Sequence, residues 1–340
     1  MSEKLHNITK QILDGTELPE AVMRTAFDEI MEGQASPVEL ASFLVSLRMR
    51  GETPGDIAAG AAVLRSKALH INAPDEAMDI VGTGGDKIGT YNISTATAMV
   101  VAGAGIPVAK HGNKAVSSKS GAADVLSMLG INMECPFEAL EEALEAAGVV
   151  FLMAPRHHAA MRHVGPIRAE LGVRTIFNLL GPLSNPAGVT RILVGSFDAV
   201  WLRPFAEALD KLGTRHAWVV HGADGLDELS TTGTNQITQL RDGQIKSFTL
   251  HPSDLGLKTA AIDDIKGGNP EVNAAALRRL LEGEAGPYRD IVLLNAAGAL
   301  VAGGHETELS DALARATAAI DSKKALNALD ALINITNKNT

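Results

Sequence analysis

Near residue 78 the chain changes rhythm. Before that point apolar residues recur only at helical spacing, for example Leu40, Phe43, Leu44 and Leu47, then Ile57, Ala61 and Leu64. Ser36-Pro37-Val38-Glu39 is a capping box with Pro at the first helical position, and Thr53-Pro54-Gly55-Asp56 resembles it. About four short helices therefore precede any strand and should pack as a small bundle. From Met78 onward short apolar runs alternate with helical stretches. The runs are Met78-Asp79-Ile80-Val81, Pro107-Val108-Ala109-Lys110, Gly148-Val149-Val150-Phe151-Leu152-Met153, Arg191-Ile192-Leu193-Val194 and Ala217-Trp218-Val219-Val220. Helical stretches at 94–103, 120–129, 137–147 and 200–212 separate them. Such alternation predicts an α/β domain whose central sheet is largely parallel and covered on both faces. The stretch 156–185 interrupts the rhythm: it is polar, irregular and punctuated by Pro166 and Pro182. Residues 236–240 and 245–250, flanking Arg241-Asp242-Gly243, read as a hairpin at the sheet's margin, and the chain is helical beyond Asn269.

Composition narrows the function classes. Thirty basic against forty acidic side chains leave a formal charge of −10, which argues against nucleic acid or an anionic membrane as partner. A single cysteine, Cys135, excludes a disulfide framework and any CxxC site. The longest apolar stretch, near 98–109, is broken by Gly and Pro and falls short of the roughly 20 residues that span a bilayer. The start, Met1-Ser2-Glu3-Lys4-Leu5-His6, lacks the apolar core of a signal peptide, so a soluble cytoplasmic protein is expected.

Three loops carry the chemistry, and each follows a strand. Val81-Gly82-Thr83-Gly84-Gly85-Asp86 lets backbone N–H groups approach an anion, yet it fits neither the dinucleotide fingerprint nor the Walker loop. Gly89-Thr90-Tyr91-Asn92-Ile93-Ser94-Thr95 follows at once and places hydroxyls where a helix begins, which is a ready anion site. Lys110-His111-Gly112-Asn113-Lys114-Ala115-Val116-Ser117-Ser118-Lys119-Ser120-Gly121 concentrates three lysines in an acidic protein. Taken singly, each loop reads as a turn or a solvated basic segment. Because loops at the carboxyl ends of strands face one crevice, the set points instead to a phosphate-rich ligand. The adjacent carboxylates Asp227 and Glu228 suit Mg²⁺, an oxygen-seeking ion that often bridges to phosphate. His157, His158 and His163 have no carboxylate at metal-ligand spacing and read as substrate-lining or surface residues. Arg168 is expected in the first turn of a helix, where the dipole gains nothing from a cation and a carboxylate clamp would explain it.

Those loops, with Gly165-Pro166-Ile167-Arg168 and Asn178-Leu179-Leu180-Gly181-Pro182-Leu183-Ser184-Asn185-Pro186 between them, closely resemble the anthranilate phosphoribosyltransferases, which catalyse the second step of tryptophan biosynthesis. The resemblance covers nearly the whole chain. It implies a helical domain of 1–72 with about 163–188, hinged to an α/β domain of 73–162 with about 189–340 whose sheet is mixed, and a homodimer formed through the helical domains. It implies that Gly82, Gly85, Asp86, Thr90, Asn92, Ile93, Ser94 and Thr95 hold phosphoribosyl pyrophosphate. The loop Lys110, His111, Gly112, Asn113, Lys114, Ala115, Val116, Ser117 and Ser118, with Ala122, would wrap that substrate. Ser94, Asp227 and Glu228 would bind Mg²⁺. Gly82, Asn113 and Arg168 would contact anthranilate, while His111, His158 and Pro182 line its access path. The chain departs from the usual pattern at Ala122 (often Ser), Ala159 (usually Pro), Arg162 (often Tyr) and Lys114 (commonly Arg). An aromatic amine is neutral and nucleophilic at pH 7, so no strong base is needed before attack on the ribose, and no residue is assigned as general base. The alternatives are a pyrimidine nucleoside phosphorylase of the same fold and a catalytically silent nucleic-acid binder. The carboxylate pair and Asn113 argue against the first, and the net charge against the second.

Overall fold

The computed structural model describes residues 3–86, 88–114 and 120–338. Four helices open the chain: α1 (Glu3–Leu13), α2 (Glu20–Met31), α3 (Pro37–Arg50) and α4 (Pro54–Ser66). Both expected capping boxes form. Ser36 and Thr53 accept the backbone N–H of Glu39 and Asp56, whose carboxylates reach back to the cap N–H groups. Two orphan donors are thereby satisfied at each start, and Pro37 and Pro54 fix the entering backbone.

Alternation then begins: β1 (Met78–Gly82), α5 (Ile93–Gly103), β2 (Val108–Gly112), α6 (Ala122–Met128), α7 (Phe137–Ala146) and β3 (Val149–Met153). The stretch expected to be irregular is made of short helical turns instead: α8 (Ala154–His157), a 3-10 turn at Ala159–His163, α9 (Gly165–Leu171), α10 (Phe177–Leu180) and a second 3-10 turn at Gly181–Leu183. Gly and Pro keep each too short to show a helical period in the sequence. Then follow β4 (Arg191–Gly195), α11 (Leu202–Lys211), β5 (His216–His221), the hairpin β6 (Asn235–Arg241) and β7 (Gln244–Leu250), α12 (Pro270–Leu281), α13 (Pro287–Ala302), α14 (Leu309–Asp321) and α15 (Lys324–Thr336).

The strands form one sheet in the order β3-β2-β1-β4-β5-β6-β7, parallel as far as β5 and antiparallel at the hairpin. Successive strand residues face opposite sides. Ile80, Leu193, Trp218 and Val220 join a core with α5, α6, α7 and α12–α15. Val81, Ile192, Val194, Ala217 and Val219 join another with α11, α1–α4 and residues 164–183. The second core has a consequence for the site: the segment 164–183 is packed with the N-terminal bundle, although strands flank it in sequence. No helix among the described residues is long and apolar enough to cross a membrane.

The order 3-2-1-4-5 places a switch point between β1 and β4, where the chain leaves towards opposite edges of the sheet. Loops diverge there and open a crevice at the carboxyl ends of the strands.

Candidate functional site

Gly82 and Gly195 are register partners at the ends of β1 and β4, so they mark the floor of that crevice. Thr83 continues the ladder by donating its N–H to the Gly195 carbonyl (3.0 Å), and its hydroxyl accepts from Phe197 N (3.0 Å). The segment after β5 lies across both glycines. A Cβ on Gly82 would overlap the Asp227 carboxylate, so glycine is needed there for close approach rather than for flexibility.

Asp227 and Glu228 are buried, at 8% and 9% exposure, and each is tied to one of the glycine- or hydroxyl-bearing loops. Gly84 N donates to Asp227 Oδ2 (2.6 Å), and Ser94 N, in the first turn of α5, donates to Glu228 Oε1 (3.1 Å). Lys110, on β2 and 4% exposed, donates from Nζ to the Ile80 carbonyl and to Ser94 Oγ (3.1 Å). Burial raises Asp227 to about 6, with the Asp86 charge adding to the rise, and raises Glu228 to about 8, with Asp227 adding to it. Burial also lowers Lys110, against the pull of Asp79 and the two carboxylates. One lysine thus faces several buried acids, and the cluster holds more negative charge than it neutralises. Its donors are all oxygen. Ser94, Asp227 and Glu228 accordingly fit a hard divalent cation such as Mg²⁺, which would relieve the excess charge.

The other phosphate-side candidates lie around this cluster. Gly85 and Asp86 follow β1; Thr90 forms an isolated bridge to Lys266; Asn92 precedes α5, which opens with Ile93, Ser94 and Thr95. Ile93 and Thr95 face the core, and Thr95 Oγ1 has no hydrogen-bond partner among the described residues. Gly112 ends β2, with Asn113 and Lys114 exposed just beyond it. Ala122 begins α6, and the neighbouring Ala123 N donates to the Asn113 carbonyl (3.3 Å). Ala115, Val116, Ser117 and Ser118 lie outside the described residues.

Acceptor-side candidates form a second group. His111 and His158 are buried with ring centroids 5.2 Å apart. Burial drives His111 well below the usual histidine range and His158 down to about 4, so both are neutral imidazoles near pH 7. Among the described residues no well-aligned hydrogen bond reaches His111 Nε2 or either ring nitrogen of His158, although the backbone of Gly181 interacts with His111 and that of Ser184 and Leu64 with His158. His157, the neighbour of His158, is equally buried and is structural: its Nδ1 meets the Leu69 carbonyl at 2.7 Å and its ring packs on Phe137. Pro182 is buried in the turn after α10. Arg168 is the fourth of seven residues in α9, close to both of its ends, so the dipole argument for it has little hold. Its guanidinium lies over Phe177 (5.6 Å) and donates to Asn178 Oδ1 (3.3 Å), and burial lowers its pKa. Asn178 is in turn fixed by Thr175 N (3.1 Å). Among the described residues Arg168 makes no hydrogen bond or ion pair with the carboxylate cluster; the two groups stand on different cores.

Residue-by-residue reading missed the buried groups behind these loops. Asp79, on β1 and fully buried, accepts from His111 N (3.1 Å) and from Asn185 Nδ2 (2.8 Å), which also reaches the Ala109 carbonyl (2.7 Å). Burial raises Asp79 to about 6, opposed by Lys110. The available signal was a charged residue inside the apolar run Met78–Val81.

Comparison with known proteins agrees with this geometry. Residues 74–326 match the glycosyl transferase family a/b domain, and residues 6–68 the helical bundle domain of the same family. The chain is 54% identical over 330 residues to an anthranilate phosphoribosyltransferase of Parvibaculum lavamentivorans, covering 97% of each. It is 53% identical to that of a Chelativorans species, over 96% of this chain and 97% of the other. Among solved structures, the Thermus thermophilus anthranilate phosphoribosyltransferase superposes with a TM-score of 0.92 at 44% identity, over 96% of this chain and 98% of that one. The Saccharomyces cerevisiae anthranilate phosphoribosyltransferase in complex with PRPP and Mg superposes with a TM-score of 0.90 at 28% identity, over 99% of both chains.

Proposed function

The chain belongs to the anthranilate phosphoribosyltransferase family, and we propose that its crevice between β1 and β4 holds the phosphoribosyl donor while the segment 156–188 presents the acceptor. The enzyme transfers the 5-phosphoribosyl group of phosphoribosyl pyrophosphate to the amino group of anthranilate, giving N-(5-phosphoribosyl)anthranilate and pyrophosphate, in tryptophan biosynthesis. The observation that carries the site assignment is the buried Asp227–Glu228 pair tied to Gly84 N and Ser94 N at the switch point.

Gly82, Gly85, Asp86, Thr90 and Asn92 to Thr95 surround the donor, with Lys110 to Lys114 and Ala122 on its other side; the contacts expected of Ala115 to Ser118 fall outside the described residues. Ser94, Asp227 and Glu228 would hold Mg²⁺, which when bound would supply charge to stabilise the leaving pyrophosphate. Lys110 holds a fixed positive charge beside the same group, so that little reorganisation is needed as the bond to C1 of the ribose breaks. Arg168 pairs with the anthranilate carboxylate through its fork, held over the Phe177 ring and oriented by Asn178. With Gly82 and Asn113 it aligns the amine nitrogen on C1, so that binding energy is spent on orientation. His111, His158 and Pro182 line the acceptor's path as an uncharged wall. The amine attacks C1, the C1–oxygen bond to pyrophosphate breaks, and the nitrogen then loses its proton; no side chain is assigned to that last step.

We assign 1–72 with about 163–188 to one domain and 73–162 with about 189–340 to the other, so that Arg168 and the carboxylates fall in different domains; one core lies almost wholly in the second, and the other joins the helical segments to the opposite face of its sheet. Closure between them would complete the site. Val38, Val45 and Met49 share one exposed face of α3 (75%, 42% and 80% exposed), with Leu13 of the adjoining α1 at 66%; such a surface supports a homodimer through the helical domains. Sedimentation at micromolar concentration tests it, and a concentration-independent monomer contradicts it. A biosynthetic enzyme of this composition is assigned to the cytoplasm. The function itself is tested by pyrophosphate release: it should require both phosphoribosyl pyrophosphate and anthranilate, and phosphorolysis of thymidine in its place would overturn the reading.

A further inference from the structure

Asn92 sits where a helix-capping side chain is expected, yet it makes no cap to α5. Ordinarily Asn at this position turns its oxygen onto the first helical N–H groups. Here Oδ1 instead accepts from Nδ2 of Asn273 (2.9 Å) and, at longer range, from the Ser120 hydroxyl (3.4 Å). Asn273 is the fourth residue of α12, 1% exposed and 181 residues away in sequence.

Which end of each amide points where is decided by one group that can only donate. The backbone N–H of Gly268 lies 2.7 Å from Asn273, so the atom it faces must be Oδ1. Nδ2 of Asn273 is therefore the end that faces Asn92, and Asn92 must answer with its oxygen. The donor end of Asn92, Nδ2, is consequently turned away from Asn273. We propose that Asn273 is a positioning residue for the phosphoribosyl pyrophosphate loop, fixing the Asn92 amide so that it offers a donor, not an acceptor, to the anionic substrate. The inference rests on the assignment of that loop to the donor substrate and deepens it.

The surroundings are built to keep the relay in register. Tyr91 N donates to the Ile265 carbonyl (3.1 Å), Gly267 N to the Gly89 carbonyl (2.9 Å), and Thr90 bridges Lys266. Tyr288 donates to the Asn92 carbonyl (3.2 Å) and stacks on Tyr91 with centroids 4.4 Å apart. A Cβ on Gly267 would come within 2.7 Å of Asn273 Oδ1 and 2.8 Å of the Thr90 carbonyl, so that position must stay glycine for the two segments to touch. The loop therefore takes its shape from the segment 265–273 as well as from its own sequence. An amide with a wrongly chosen end would set an oxygen lone pair against a phosphate oxygen.

Asn273→Asp tests the relay. The carboxylate keeps the Gly268 contact but replaces the donor, so Asn92 must reverse its amide to stay paired. The KM for phosphoribosyl pyrophosphate should rise about 10-fold, a single hydrogen bond to a charged group being worth roughly that or more, while the KM for anthranilate stays within about two-fold. In an Asn92→Ala background, Asn273→Asp should add nothing, because its effect passes through Asn92. A general charge effect of the new carboxylate would persist in that background, and such additivity would overturn the proposal, as would equal shifts in both KM values. Should Asn273→Asp fail to fold, Asn273→Ala removes the bond to Asn92 without adding a charge; a rise of a few-fold in the same KM is expected, and an unmoved KM overturns the proposal. No turnover by the unaltered chain would sink the substrate assignment and this inference with it. Turnover with an unmoved KM in Asn273→Asp sinks the inference alone.

Discussion

The two halves of the site are finished to different degrees. On the proposed donor side most of the described polar groups are already engaged, Thr95 Oγ1 excepted: Asp227 with Gly84 N, Glu228 with Ser94 N, Lys110 with Ile80 and Ser94, Asn92 with Asn273. On the proposed acceptor side they are buried and more loosely held: among the described residues no well-aligned hydrogen bond reaches either ring nitrogen of His158, and Arg168 has a single side-chain bond. Burying a polar atom without a partner costs free energy. On the proposed assignment the donor side is a preorganised charge trap whose geometry exists before substrate, whereas the acceptor side keeps hydrogen-bonding capacity that a small aromatic carboxylate can use. The contrast follows from what each ligand needs: a leaving pyrophosphate needs fixed charge, and a neutral amine needs only alignment.

The sharpest way to break that contrast is to remove the trap. Asp227→Asn with Glu228→Gln should lower kcat by roughly 10²–10³-fold, the usual cost of removing fixed electrostatic stabilisation, and flatten the dependence of rate on Mg²⁺. An unchanged metal profile would strike both from the ligand set. Next in size is Arg168→Ala, whose KM for anthranilate should rise about 10- to 100-fold on losing a charge-assisted contact. The KM for phosphoribosyl pyrophosphate should hold within about two-fold; equal shifts in both would mean that the halves are not separate. Asn178→Ala should reproduce the same asymmetry at about 5-fold, because Arg168 keeps its charge and loses only its orienting bond.

The smallest effect on turnover concerns pH. Burial pushes His158 down to about 4, below its unfolded value near 6.5. The unfolded chain then takes up a proton that the folded chain refuses. This contribution to stability is therefore complete above about pH 6.5 and is lost as pH falls towards 4, amounting to ~2 kcal/mol by pH 5. Thermal melts between pH 7.5 and 5 should show a shallower decline for His158→Gln than for the unaltered chain. Identical slopes would place that imidazole in contact with water.

Sequence alone conveyed the fold well where periodicity is long and ends are marked. The capping boxes at Ser36 and Thr53 and the five parallel strand runs all appear where expected, because cap chemistry and burial on both faces leave local traces. The stretch 156–185 left none, since turns of three to seven residues are shorter than a readable period. The charged loops were legible for the same local reason: glycine and lysine at strand ends stand out. Their supports were not. Asn273 lies 181 residues from Asn92, and Asn185 lies 106 from Asp79, so only the folded chain brings these amides together. Asp79 alone left a local hint, a carboxylate where a buried strand should be apolar.

The most direct test of the whole account is the fluorescence of anthranilate. On adding phosphoribosyl pyrophosphate and Mg²⁺ to the purified chain, the signal should fall with time until the limiting substrate is consumed. It should hold steady when either addition is withheld. A signal that stays constant with all components present would contradict the account.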